Sequence, residues 1–317
     1  MKDFLKFKWL RKNFVFVSFL TLFLVLLSLM SFDLYLIHAE GSKKILPPPS
    51  FSQEISAYPV LKSFFVPQIS ARGAIVMDAD SKIVIYAKNP HLRFSSASTT
   101  KIMTALTALD IFKLNESLTI KTATVEGSII NLKKDEKFTL ESLLYAILLP
   151  SANDAALAIA ENHPQGKAAF VKQMNENAKK WNLANTRFED PAGLDDNGYT
   201  TPFDLARLAS IAVKNKTIAK IVSEKTKTIF TEDFSDSYFF ENRNKLLGVR
   251  GIDGVKTGFT EEAGEVLVTS RFESTIENPK QKHKLITVVM GSSDRFLDTF
   301  ILTDLISGNV NYLTIRP

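Results

Sequence analysis

Apolar positions change their spacing along the 317-residue chain in ways that mark its elements. Phe14 to Phe32 is an apolar run broken only by Ser18, Thr21, Ser28 and Ser31, and Leu34 to Ile37 continues it weakly after Asp33. Its length is near the ~20 residues a membrane-spanning helix needs. Gly73 to Asp78 and Ile83 to Tyr86 are β-rich around the turn-forming link Asp78-Ala79-Asp80-Ser81-Lys82, which predicts a hairpin. After Ser98 the spacing lengthens, and Ile102, Ala105, Leu106, Leu109 and Phe112 share one helical face. Thr139 predicts an N-cap for a buried helix over Leu140 to Leu149, and Pro150 cannot continue it without losing a hydrogen bond. Ser151 then opens Asn153 to Glu161, with Asp154 completing a capping-box pattern. Phe170, Met174, Ala178 and Trp181 form a further stripe. Asp190 to Gly198 is loop. Thr201-Pro202 reads as a cap with proline at the first helical position, opening Phe203 to Val213. Val255 to Phe259, Val266 to Arg271 and Leu285 to Met290 read as late strands, with a polar connection from Glu273 to His283. Phe296 to Ile306 reads as a terminal helix. Strands flanking a helical middle predict an α+β arrangement: a mixed sheet of early and late strands with an inserted helical region.

Charge places the first segment. Lys2, Lys6, Lys8, Arg11 and Lys12 precede the apolar run, and basic residues there keep an N-terminus in the cytoplasm. The reading is a cytoplasmic basic segment over 1–13 and a transmembrane anchor or signal segment over 14–37. The extracytoplasmic linker, 38–69, contains Pro47-Pro48-Pro49, which is stiff and extended. A compact domain over 70–307 and a tail over 308–317 follow. A cleaved leader has a roughly 7–15-residue core and a small-x-small site. Here the core is longer and Ile37-His38-Ala39 fits that site poorly, so an uncleaved anchor is favoured. Either way the bulk of the chain works on the extracytoplasmic side of a cell membrane, or is secreted. The formal net charge is +5, but the basic cluster is terminal, so it does not point to nucleic acid. Zero cysteines remove disulfides, zinc ribbons, thiol nucleophiles and iron–sulfur clusters. No H-E-x-x-H, G-x-S-x-G, Walker A or G-x-G-x-x-G pattern occurs, and neither a metal nor a cofactor is expected.

Three short patterns carry chemistry. In Ser98-Thr99-Thr100-Lys101 the hydroxyl and the amine meet over one helical turn. A serine needs a base to become a nucleophile. Lysine can be that base only if its pKa falls from about 10.4 towards neutral, through burial or a second cation. The plainer alternatives are a helix cap at Ser98 and a solvated Lys101. In Ser151-Ala152-Asn153 the hydroxyl can relay a proton to a leaving amine, while the Asn153 amide holds a lysine or a substrate carbonyl; the alternative is capping by Ser151. In Lys256-Thr257-Gly258 an amine and a hydroxyl can bind a carboxylate, and the glycine lets a substrate backbone approach the strand. The alternative is an edge strand protected by a lysine. The three occur in the order of the S-x-x-K, S-D-N and K-T-G set of penicillin-binding proteins and class A β-lactamases. Lys256 is then the candidate second cation that lowers the pKa of Lys101.

The chain resembles the bacterial serine D-alanyl-D-alanine carboxypeptidases, the low-molecular-mass penicillin-binding proteins of peptidase family S11. Ser96 to Leu106 looks like their active-site helix. Leu148 to Ala156, Asp190 to Asp195, Asn242 to Leu247 and Gly251 to Gly258 are similar too, so the likeness covers about 70–307. It implies the serine β-lactamase/DD-peptidase-like fold, an antiparallel sheet flanked by helices with an inserted helical subdomain. It also implies that Ser98 attacks the peptide bond between two D-alanines, Lys101 is the base, Ser151 passes the proton on, and Asn153 orients. Lys256, Thr257 and Arg243 would hold the terminal carboxylate beside Gly258, with Arg295 matching a second family arginine. Backbone N–H groups of Ser98 and Phe259 would form the oxyanion hole, each contributing roughly 3–4 kcal/mol. For Arg243 the plain alternative is a surface ion pair. The implied partners are peptidoglycan stem peptides ending in D-Ala-D-Ala and β-lactams as covalent inhibitors. Phe259 stands where some relatives place a polar residue. Other readings are a murein endopeptidase, a class A-like β-lactamase and a catalytically idle peptidoglycan binder. The β-lactamase needs a loop glutamate, usually in E-x-x-L-N, and no such pattern lies between Asn153 and Lys256.

Overall fold

A computed structural model describes residues 58–123, 125–274 and 282–313, together with Phe23. The proposed anchor, most of the linker and the end of the tail lie outside the described residues. Among the described residues no helix is long and apolar enough to cross a membrane.

Ile55–Pro317 forms one compact unit. In chain order it begins with β1 (Tyr58–Leu61), β2 (Gly73–Asp78), β3 (Val84–Lys88) and β4 (Phe94–Ser95), then a 3₁₀ turn over Ala97–Thr99 and α1 (Thr100–Ile111). Then come β5 (Ser117–Thr119), β6 (Lys137–Thr139), α2 (Leu140–Leu148), α3 (Asn153–Glu161), α4 (Gly166–Lys180) and β7 (Tyr199–Thr200). The last part holds α5 (Pro202–Ala212), α6 (Lys216–Ser223), β8 (Thr226–Phe230), β9 (Ser237–Glu241), β10 (Ile252–Thr260), β11 (Gly264–Ser274), β12 (Lys282–Ser292), α7 (Arg295–Ile306) and β13 (Val310–Leu313).

The main sheet runs β10-β11-β12-β2-β3, and every pairing is antiparallel. The mixed sheet expected from the element pattern is therefore corrected, while the early and late strands do meet, β2 pairing with β12. Alternation along the strands gives the sheet two buried faces. Ile75, Met77, Val266, Val268, Ile286 and Val288 face the large core shared with the helical region. Ala74, Val76, Leu267, Leu285 and Val289 face a second core closed by Leu302, Leu305 and Ile306 of α7 and by Val310 and Tyr312 of β13. The inner strand β2 is buried at all six positions, as a strand covered on both faces must be.

Several local expectations hold. Thr139 caps α2, accepting from Ser142 N at 3.2 Å. Thr201 caps α5, accepting from Asp204 N at 3.1 Å, with Pro202 at the first helical position. Helix α1 is less amphipathic than its stripe suggests: Thr100 to Ala108 are all buried, polar Thr104 and Thr107 included. A helix buried all round sits in the middle of a fold, and that position presents its N-terminal turn to the sheet edge. The boundaries drawn at 70 and 307 leave out a two-stranded ribbon in which β1 pairs with β13, Tyr58 opposite Leu313.

Candidate active site

The site forms where the start of α1, the turn before α3, the loop after Phe188 and the edge strand β10 converge. Ala97 is buried with φ of 45°, left-handed for a residue with a side chain. Such strain persists only where the surroundings fix it. This sharp turn leaves Ser98 half-buried at the entrance while Lys101, one helical turn later, is wholly buried. Ser98 does not act as a cap: Ser96 and Thr99 occupy the cap positions of the 3₁₀ turn and of α1, and neither makes a side-chain capping bond.

The Lys101 amine donates to Ser98 Oγ at 3.0 Å, to Asn153 Oδ1 at 2.8 Å and to the Ala192 carbonyl at 2.8 Å. Burial, opposed by the Asp190 and Asp154 carboxylates and aided by the Arg243 cation, lowers its pKa to about 7. A solvated lysine is thus excluded, and the amine is poised to accept a proton near neutrality. Asn153 holds the lysine, because its Nδ2 is already committed to the Glu126 carbonyl at 2.7 Å.

Ser151 differs from its capping-box reading. Its φ is 70° and the N-cap of α3 is Ala152, so the Ser151 backbone has turned away from the helix. Its Oγ is buried without a hydrogen-bond partner among the described residues. Asp154, the other half of that pattern, instead accepts from Ile130 N and Leu132 N, both at 3.1 Å, and fixes the loop beside the site.

Strand β10 is an edge of the main sheet, yet Lys256 is buried, so it is not a solvent-facing protective lysine. Its amine donates to the Thr257 carbonyl at 3.1 Å. Burial drives its pKa well below the ordinary value, and Lys101, Arg243 and Arg295 add to the fall. Arg243 is a cation that lowers Lys101, and the repulsion between the Lys101 and Lys256 amines falls on Lys256, so the two stand close enough to oppose each other's charge. Thr257 is buried beside it. Gly258 lies against the active-site turn, since a Cβ built there would stand 3.3 Å from Ala97 Cβ and 3.4 Å from Ser98 N. Phe259, 53% exposed, opens the strand to solvent. Arg243 is exposed, makes no carboxylate ion pair among the described residues, and anchors through its N–H to the Leu149 carbonyl at 3.3 Å. Arg295 begins α7 and donates from Nη1 to the Gly258 carbonyl at 2.8 Å, tying the helix to β10.

One residue was missed as a site candidate. Asp190 accepts four backbone N–H groups: Ala192 at 2.6 Å and Gly193 at 2.7 Å on one oxygen, Leu194 at 2.9 Å and Asp195 at 2.8 Å on the other. That wrapping aims the Ala192 carbonyl at Lys101. An aspartate before proline and glycine is the sequence signal for such a turn. Asp190→Ala should lower acylation of Ser98 about tenfold and destabilise the fold by about 1–3 kcal/mol through the orphaned N–H groups. It should also move the pH midpoint of acylation down, because the Asp190 charge raises Lys101. A midpoint that stays put would reduce Asp190 to a purely structural turn.

Comparison with known proteins agrees with this geometry. The family model of D-alanyl-D-alanine carboxypeptidases, Peptidase_S11, matches residues 61–294. The D-alanyl-D-alanine carboxypeptidase DacF of Bacillus subtilis is 35% identical over 232 residues, which are 70% of this chain and 58% of that one. A D-alanyl-D-alanine endopeptidase of Pseudomonas aeruginosa is 33% identical over 207 residues, 63% of this chain and 67% of that one. The chain thus spans well under two thirds of the Bacillus relative. The crystal structure of the Streptomyces K15 DD-transpeptidase superposes with a TM-score of 0.68 at 30% identity, covering 77% of this chain and 98% of that one. With its family pattern and its site in the same stretch of sequence, the chain belongs to the S11 family of D-alanyl-D-alanine carboxypeptidases.

Proposed function

We propose that the chain is a serine D-Ala-D-Ala carboxypeptidase that trims the terminal D-alanine from peptidoglycan stem peptides. The observation that carries this reading is the Lys101 amine: buried, brought to about 7, and 3.0 Å from Ser98 Oγ. Lys101 takes the Ser98 proton as Oγ attacks the carbonyl carbon of the penultimate D-alanine. The amide C–N bond breaks, Ser151 delivers its proton to the departing amine and regains one from Lys101, and an ester to Ser98 remains. Water attacks that ester with Lys101 again as base, and Ser98 regains its proton. Lys256, Thr257 and Arg243 bind the terminal carboxylate, while the N–H groups of Ser98 and Phe259 receive the oxyanion. Arg295 supports this from behind, through Gly258. A β-lactam follows the same first step, but its leaving nitrogen stays tethered to the acyl group. The N-terminal apolar run holds the protein in the cell membrane with the catalytic unit outside the cytoplasm.

Time-resolved mass spectrometry with benzylpenicillin tests the reading. Wild type should gain one covalent adduct on Ser98, and Ser98→Ala should gain none. A wild type that neither labels nor frees D-alanine from a D-Ala-D-Ala peptide would overturn it. Rapid turnover of the adduct would point to a β-lactamase. Because the Pseudomonas relative is named an endopeptidase, a cross-linked muropeptide dimer belongs in the same assay, and its preferential cleavage would shift the reading to that activity.

A further inference from the structure

Three consecutive large apolar residues, Phe64, Phe65 and Val66, are 62%, 51% and 67% exposed. They do not sit on a free tail. Lys62 N donates to the Asn309 carbonyl at 2.9 Å, and Ser63 N donates to Asn309 Oδ1 at 3.1 Å, just beyond the end of α7. At the other end of the segment Ser70 N and Ala71 N donate to the Asp298 carboxylate at 2.9 and 2.7 Å, within the first turns of α7. The segment is therefore fastened along α7, and its phenyl groups are held outwards although Pro67 and Ala71 turn in. On α7 itself Leu297 is 54% exposed and Phe300 37%. Cations stand among these rings: Arg250, which is ion-paired to Asp304 of α7, lies 4.5 Å from the Phe300 centroid, and Lys245 lies 5.6 Å from that of Phe296. Lys62 is exposed beside Phe64.

We propose that this surface, α7 with the fastened segment 62–71, rests on a bilayer rich in anionic lipid and seats the catalytic unit there. Aromatic side chains interleaved with lysine and arginine suit the headgroup region, where rings sit at the apolar boundary and cations meet lipid phosphate. The proposal rests on the membrane reading of the N-terminal run given above. That run ends at Phe32, and residues 33–57 lead to Tyr58, the start of β1. Twenty-five residues reach at most about 80–90 Å, so an anchor alone does not bring the domain to the membrane. Phe64 follows only six residues after Tyr58, so the apolar surface lies at the side by which the chain enters the domain. A second exposed aromatic group, Phe230 and Phe234 on the β8–β9 hairpin, has Glu232, Asp233 and Asp236 around it and would be repelled by anionic lipid.

The chain has no cysteine, so single labels are clean. The full chain would be reconstituted in vesicles of phosphatidylethanolamine and phosphatidylglycerol carrying a doxyl-labelled lipid. A bimane is attached through Phe65→Cys, Leu297→Cys or, as the control, Phe234→Cys. The labels at Phe65→Cys and Leu297→Cys should be quenched several-fold more than the one at Phe234→Cys. Adding Phe64→Ser and Val66→Ser should bring Leu297→Cys down to the control level. Equally weak quenching at all three sites in protein that co-floats with vesicles overturns the surface and leaves the anchor standing. Protein that fails to co-float overturns both. A Phe65→Cys label shielded from aqueous iodide but not quenched by lipid means that another part of the chain, or a second copy, covers the patch, and this too overturns the proposal.

Discussion

Replacing Lys101 with arginine should slow acylation of Ser98 by about 10²–10⁴-fold, the range a positioned general base supplies, and raising the pH should not restore it. The reason is the proton. Burial brings the Lys101 amine to about 7, so near neutrality it stands free to accept the Ser98 proton. A guanidinium keeps its charge at every accessible pH. Wild-type acylation should therefore rise with pH through about 7 and then level off. Lys101→Arg retains N–H donors for the three acceptors that hold the amine, Ser98 Oγ, Asn153 Oδ1 and the Ala192 carbonyl, and a Tm kept near that of wild type separates loss of rate from loss of anchoring. Stopped-flow acylation with a chromogenic β-lactam measures this. Acylation within tenfold of wild type would remove Lys101 from the role of base.

The same amine makes stability depend on pH, with a definite sign. Its folded pKa, about 7, lies below its unfolded value of 10.5. Between these limits the unfolded chain binds more protons at this site, so stability rises with pH across the window. Below about pH 7 both states carry the proton and the penalty is constant, roughly 5 kcal/mol on the difference in pKa. Above about pH 10.5 neither carries it and the penalty is gone. Lys101→Met, which cannot titrate, should lack this contribution. Urea midpoints of wild type and Lys101→Met should therefore converge or cross as pH climbs from 7 to 10, the wild type gaining. Parallel curves would mean that the amine is no more buried folded than unfolded.

What the sequence disclosed and what it withheld divide along a physical line. Signals complete within one turn or strand were legible. The Ser98–Lys101 spacing puts hydroxyl and amine together in any helix, and Thr139 and Thr201-Pro202 announce their helices through local hydrogen bonding. The strand stretches within β10, β11 and β12 were visible as apolar or β-branched runs. The hairpin β8–β9 was equally local, Thr226–Phe230 facing Ser237–Glu241 around a turn, and was overlooked. Features set by distant partners were not legible. The β1–β13 ribbon joins segments some 250 residues apart in sequence, with nothing in either to name the other. Antiparallel pairing throughout the main sheet depends on how β2 meets β12 across the helical middle. Ser151 shows a local signal overruled: Ser-x-x-Asp fits a capping box, yet the loop that Asp154 secures and the lysine that Asn153 holds require Ser151 to turn left-handed. The effect of Arg243 on Lys101 belongs with the features set by distant partners, since nothing in the sequence places residue 243 beside residue 101.

Gly193→Ala should be among the most damaging single methyl additions in the protein. Gly193 adopts φ of 78°, and a Cβ built on it would stand 1.8 Å from the Ala97 carbonyl oxygen and 2.7 Å from Thr100 Oγ1. No rotamer relieves a clash between a Cβ and backbone, so one of two segments must move. If the Asp190–Asp195 loop retreats, Lys101 loses the Ala192 carbonyl and the Asp190 carboxylate loses its array of N–H donors. If the Ala97 turn gives way, Ser98 leaves the position that puts its Oγ 3.0 Å from the amine. The left-handed backbone is strained for alanine in either case. Together these should destabilise the fold by roughly 3 kcal/mol or more, about 6–12 °C in Tm for a domain of this size. Acylation should fall by roughly 10²-fold or more even where the variant stays folded, since displacements of about 1 Å in a reacting pair carry that effect. Gly166→Ala supplies the comparison: φ there is 79°, but nothing lies within 4 Å of the added Cβ. It should show the modest cost of backbone strain with acylation unchanged. If Gly193→Ala behaves like Gly166→Ala in both Tm and acylation, the close contact between the loop and the active-site turn does not hold the nucleophile in place.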